Sequence, residues 1–117
     1  MTGDTARYAR VLEELRGEGT ALPFIVFTLA GNIRSLIMIR RGLDSRRPLM
    51  QVMSQLRARA DQQKAMESAV RRLDLKQLVA ALLHTAKIDR VSKGVAQGDA
   101  WDELLQLGTR FSVTMFR

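Results

Sequence analysis

The chain predicts an all-α fold, a single bundle of about five to six helices, and three observations carry that expectation. Its 117 residues hold only two prolines and eight glycines, and β-branched residues are sparse beside Leu, Ala, Arg and Met; such a composition favours helices. Apolar residues recur at three- and four-residue spacing along most of the chain, as one face of a helix requires. No period-two alternation persists, so strands have no support. The length suits one domain with a real core.

Taken in order, Tyr8, Val11, Leu12 and Leu15 mark a first helix, with Asp4 or Thr5 as N-cap and Gly17-Glu18-Gly19 as its stop. A second begins near Leu22, with Pro23 acceptable in the first turn. Phe24, Ile25, Val26, Phe27 and Leu29 are apolar on nearly every side, which predicts a first half buried all round. Ile33, Leu36 and Ile37 then narrow to a stripe, with Arg34, Arg40 and Arg41 on polar faces. Gly42 and the segment Asp44-Ser45-Arg46-Arg47 are expected to end it.

Pro48 opens a short third helix carrying Leu49, Val52, Met53 and Leu56, and a fourth carries Met66, Ala69, Val70 and Leu73 behind the polar run Asp61-Gln62-Gln63-Lys64. The fifth is the clearest. Asp74 with Gln77 three residues on makes a capping box, and Leu75, Leu78, Val79, Leu82, Leu83 and Ala86 predict its core stripe. It should run to about Lys93 and end at Gly94 or Gly98. Asp99 then caps a sixth helix, whose first-turn Asp102 and Glu103 complement the positive end of the macrodipole. Trp101, Leu104, Leu105, Gly108 and Phe111 share one face there, and Gly108 predicts close approach by another helix backbone.

The absence of cysteine excludes disulfide scaffolds and Cys-based zinc sites and fits a reducing cytosol. The longest apolar run, Ala21 to Ala30, is shorter than the ~20 residues of a spanning helix. Asp4, Arg7 and Arg10 stand where a signal peptide would be apolar. The expectation is a soluble, cytoplasmic protein. Net charge is +7, concentrated between Arg34 and Arg72, where ten basic residues face three acidic ones (Asp44, Asp61, Glu67). Such a middle suits nucleic acid, an acidic partner surface or solubility.

Residues for catalysis are few. His84 is the only histidine, with no cysteine or second histidine to complete a metal site. Asp102 and Glu103 read as capping carboxylates, and no P-loop occurs. The sequence therefore predicts no catalytic, cofactor-binding or metal-ligating residue. Lys87, Arg90 and Lys93 form a loose cationic strip, and Arg40, Arg41, Arg46 and Arg47 bracket a turn; either cluster suits phosphates. Neither is interleaved with aromatics, which argues against base stacking. Trp101, the only tryptophan, reads as a core anchor.

One stretch is more specific. Ile88-Asp89-Arg90, Lys93-Gly94 and Gly98-Asp99-Ala100-Trp101-Asp102-Glu103-Leu104-Leu105 resemble the signature of the carboxy-terminal domain of bacterial DNA polymerase III delta subunits. Gly3-Asp4, Ala6-Arg7, the run Val11 to Gly19 and Arg71-Arg72-Leu73 extend the likeness over nearly the whole chain. Relatives often have proline where Ala100 stands, and an aromatic near Leu56-Arg57-Ala58.

The resemblance implies a clamp-loader collar-type domain, the third of a subunit whose ATPase-like and lid domains would precede Met1. It implies joining to delta-prime and gamma/tau in a helical collar of a DNA-directed DNA polymerase holoenzyme, with the sliding clamp gripped only through the first domain. Primer–template DNA would lie near the Gly94–Asp99 loop, facing Lys87, Arg90 and Lys93. Trp101, Asp99, Leu104, Leu105 and Gly108 are then structural signature residues. A stand-alone basic helical domain that binds nucleic acid is the competing expectation.

Overall fold

The computed structural model describes the backbone of residues 3–54 and 60–111, and side chains for residues 6–54, 63–64 and 66–111. Six helices follow in chain order: α1 (Gly3–Gly17), α2 (Leu22–Asp44), α3 (Leu49–Ser54), α4 (Ala60–Arg72), α5 (Leu75–Ser92) and α6 (Ala100–Phe111). No strand occurs among the described residues. Leu56 and the side chains of Asp61 and Gln62 lie outside them.

Local chemistry places the ends. α1 is already helical at Gly3, so Asp4 and Thr5 lie within the helix and not at an N-cap. Its far end closes when the amides of Gly19 and Thr20 donate back to the carbonyls of Arg16 and Leu15. That paired closure needs a left-handed residue, and Gly19 supplies it with φ 74°. α2 ends in the same way, but with Arg46 at φ 62° in the glycine position; the amides of Arg46 and Arg47 donate to Leu43 and Gly42 carbonyls. Gly42 is not the stop expected of it. It is buried inside α2, where a Cβ would come within 2.6 Å of Val52 Cγ2, so its missing side chain seats α3. The capping box of α5 forms as expected: Gln77 N–H donates to Asp74 Oδ1 at 2.8 Å and Asp74 N–H to Gln77 Oε1 at 3.0 Å.

α2 is the central helix. Ile25, Leu29, Ile33, Leu36 and Ile39 line its inner face at 0–1% exposure, each such burial stabilising by roughly 1.5–3 kcal/mol. α5 packs along α2, α6 on α5, α1 on α6, and α3 and α4 on α2. Arg40 ties α2 to α4, its guanidinium donating to the Val70 carbonyl at 2.8 Å while pairing with Asp44 at 3.0 Å. Arg40 and Asp44, near the end of α2, share a cleft with Leu73, Asp74, Leu75 and Gln77 at the start of α5. The two long helices therefore run antiparallel.

Three expectations about faces are corrected. The first half of α2 is not buried all round: Phe24 and Phe27 are 62% and 73% exposed. On α5 the core stripe is Leu78, Ala81, Thr85, Ile88 and Val91, whereas Val79, Leu83 and Ala86 point to solvent. On α6, Leu105 is exposed and Leu107 takes its place in the core. Also, α2 is by length and composition capable of crossing a membrane, contrary to the count made on Ala21 to Ala30; in this fold its inner face is filled by neighbouring helices.

Candidate functional site

The signature stretch folds as a turn, a cap and an anchored helix. α5 closes through Gly94 (φ 76°), with the amides of Gly94 and Val95 donating to Val91 and Arg90 carbonyls. Asp99 then caps α6, its Oδ1 accepting the N–H groups of Trp101 at 3.0 Å and Asp102 at 3.2 Å. Trp101 is half-buried rather than a full core anchor, and the Arg16 guanidinium covers its ring at 5.2 Å. Leu104 and Leu107 are wholly buried.

Gly108 receives a side chain, not the helix backbone expected. Tyr8 of α1 lies across it, its ring filling the space a Cβ would occupy. The Tyr8 hydroxyl donates to the Leu104 carbonyl at 2.6 Å, and burial holds its pKa well above the usual tyrosine value. Helix α1 is thereby latched to α6 at the signature.

Glu103 does more than complement the dipole. It is buried, its Oε1 2.9 Å from Lys87 Nζ and its Oε2 3.4 Å from His84 Nε2. The Lys87 hydrogen bond outweighs desolvation and, with help from His84, holds the carboxyl below the usual range. His84 in turn meets Phe111 edge-on at 6.3 Å. The polar trio bolts α5 to α6.

This geometry rearranges the cationic strip. Lys87 is engaged by Glu103, and Lys93 pairs with Asp89 at 2.9 Å. Arg90 is exposed, without an ion-pair partner among the described residues. The second basic cluster differs: Arg41, Arg46 and Arg47 are exposed around the end of α2, where Arg41 and Arg47 share a shallow cleft with Met38, Gly42, Ser45 and Val52. Among the described residues no three His, Cys, Asp or Glu side chains gather as a metal site would require.

One surface feature has no counterpart among the expectations from sequence. An open groove of about 520 Å³ runs between α2 and α5, with Phe27, Ala30 and Arg34 on one wall and Leu82, Leu83 and Ala86 on the other. Phe27 and Leu83 are 73% and 66% exposed; Phe24, three residues before Phe27, and Val79, four before Leu83, are exposed as well, at spacings that make each a neighbour on its own helix. The signal was present in α5, which carries two apolar stripes where a core needs one.

A scan against protein-family models finds no match, and neither a curated protein nor a solved structure matches the chain.

Proposed function

We propose that the chain is a structural subunit-assembly module of DNA replication, the third, collar domain of a delta-type clamp-loader subunit. In this reading it joins delta-prime and gamma/tau subunits through helical faces, works in the bacterial cytoplasm, and performs no catalysis itself. The observation that carries it is the uncovered apolar face of α2 and α5, since contiguous exposed patches of this kind mark interaction sites. The signature residues support it by their roles: Asp99 caps, Gly108 seats Tyr8, and Leu104 is core, so they specify a scaffold. Mixing the chain with purified delta-prime and gamma subunits tests the reading, with co-elution expected and persistent separation refuting it.

A DNA contact near the Gly94–Asp99 loop rests mainly on Arg90, because Lys87 and Lys93 already hold carboxylates. If neutralising Arg90 leaves the salt dependence of clamp loading unchanged in the complete complex, that contact is wrong. The exposed trio Arg41, Arg46 and Arg47 favours a second reading, a stand-alone nucleic-acid-binding domain. It predicts steeply salt-dependent DNA affinity for the isolated chain, which anisotropy at two salt concentrations measures directly.

A further inference from the structure

We infer that the α2–α5 groove is the seat of one amphipathic helix from a partner chain, apolar on the face it buries and acidic along one flank. The inference names the partner class of the assembly surface proposed above, and rests on that reading only for the partner's identity.

Shape is the first argument. α2 and α5 are antiparallel neighbours, and the groove follows their seam from Pro23 to Arg34 on α2, a run of about 16 Å at 1.5 Å per residue. Two neighbouring helices with a trough between them hold a third helix through anchors at successive turns. Phe27 and Leu83 are the exposed walls on which such anchors would close.

Area separates a helix from a second copy of the chain. Phe24, Phe27 and Leu83, at 62%, 73% and 66% exposed, leave apolar surface on the order of 400 Å², taking 150–250 Å² for a buried aromatic. That is about half of the roughly 800 Å² each partner contributes to a standard interface. A single helix laid in a groove matches that area better than a broad dimer face.

Charge sets the flank. Arg34 lines the groove, and Arg41 lies seven residues on, hence on the same side of α2. Both are exposed. Neither has an ion-pair partner among the described residues, for Asp44 is taken by Arg40. Across the seam the one carboxylate in the lining, Asp89, is paired with Lys93. The α2 wall is therefore positive with no compensation, and complementarity across an interface calls for carboxylates opposite it.

The test uses synthetic helical peptides of about 18 residues, long enough to reach from Pro23 past Arg34 to Arg41 at 1.5 Å per residue. One carries a leucine stripe with a glutamate flank, a second the same stripe with a lysine flank. Fluorescence anisotropy against the full chain is expected to show binding of the first and not the second. Phe27→Ser and Leu83→Ser are each expected to weaken that binding at least about tenfold, as loss of a buried anchor does. Arg34→Glu with Arg41→Glu should reverse the preference between the peptides. All four positions are exposed, so the variants keep the core, and circular dichroism checks this.

Equal binding of both peptides, or indifference to Phe27 and Leu83, overturns the inference. So does sedimentation as a dimer that Phe27→Ser dissolves, or Phe27-dependent binding to anionic phospholipid vesicles in place of the peptide. If the peptide pattern holds while delta-prime and gamma subunits fail to associate, the inference stands and the clamp-loader reading falls.

Discussion

Substituting Gly108 by alanine sets two physical effects against each other, and the structure decides between them. In a helix interior alanine is favoured over glycine by about 1 kcal/mol. Against that stands the Tyr8 ring, which fills the space a Cβ would need, so that even the more distant ring carbon Cγ would lie 2.8 Å away. Tyr8 is 1% exposed, and the ring must retreat by about an ångström into a close-packed surround. Overpacking of that kind costs roughly 1–3 kcal/mol. Displacing the ring also strains its hydroxyl bond to Leu104, worth about 1 kcal/mol. The expected net loss is about 2 kcal/mol, or a Tm lowered by roughly 8 °C for a domain of this size. Urea and thermal melts followed by circular dichroism measure it. The same substitution in a Tyr8→Leu background should be neutral to stabilising by up to about 1 kcal/mol, because the smaller side chain vacates the contact; the double-mutant cycle isolates the coupling. A Gly108→Ala protein as stable as the wild type would refute the latch, and a penalty that persists in the Tyr8→Leu background would point to the backbone packing expected from sequence.

Three further outcomes follow from single sites. Because burial raises the Tyr8 pKa in the folded state, its stabilising contribution is complete below the ordinary value near 10 and is lost as pH rises beyond it; Tyr8→Phe should cost about 1 kcal/mol at pH 7 and show a flatter alkaline limb in urea titrations. Glu103 has the opposite sign: its lowered pKa contributes stability above the ordinary carboxylate value, near 4.3, that is lost as pH falls through the folded value. Glu103→Gln should therefore be less stable than wild type at pH 7, with the gap narrowing at pH 3. Arg46→Gly relieves a left-handed residue at the end of α2 (φ 62°), worth about 1–2 kcal/mol, less about 0.4–1 kcal/mol for the freer unfolded chain; a Tm gain of a few degrees is expected.

Much of the fold was legible because its signals are local. The capping box at Asp74, the cap at Asp99 and the all-helical composition depend on residues a few positions apart, and each stands in the structure as read. Gly42 and Gly108 were misassigned for a shared reason. What each glycine makes room for, Val52 at Gly42 and Tyr8, 100 positions away, at Gly108, lies on another helix, so spacing along the chain shows neither that Gly42 is a seat instead of a stop nor that a ring instead of a backbone meets Gly108. Glu103 was similarly understated. First-turn carboxylates suit the dipole, and only the packing of α5 against α6 brings Lys87 and His84 to it.

The apolar stripes of α5 carry the most consequential lesson. Helical spacing groups Leu75, Leu78, Val79, Leu82, Leu83 and Ala86 as readily as Leu78, Ala81, Thr85, Ile88 and Val91, and the first set is on average bulkier. Side-chain size favours the first as core. Closeness of approach favours the second, because the small side chains of Ala81 and Thr85, both buried, let α5 settle closely against α2. With the small residues spent on the inner face, Val79 and Leu83 are left outside beside Phe27. A side chain of that bulk stabilises nothing in water, and burying it is worth roughly 1.5–3 kcal/mol. Within the stripe expected as core, Leu78 is buried and Leu82 packs against the core, while Val79 and Leu83 are the members whose burial the isolated chain leaves undone, and it is there that a partner has most to gain.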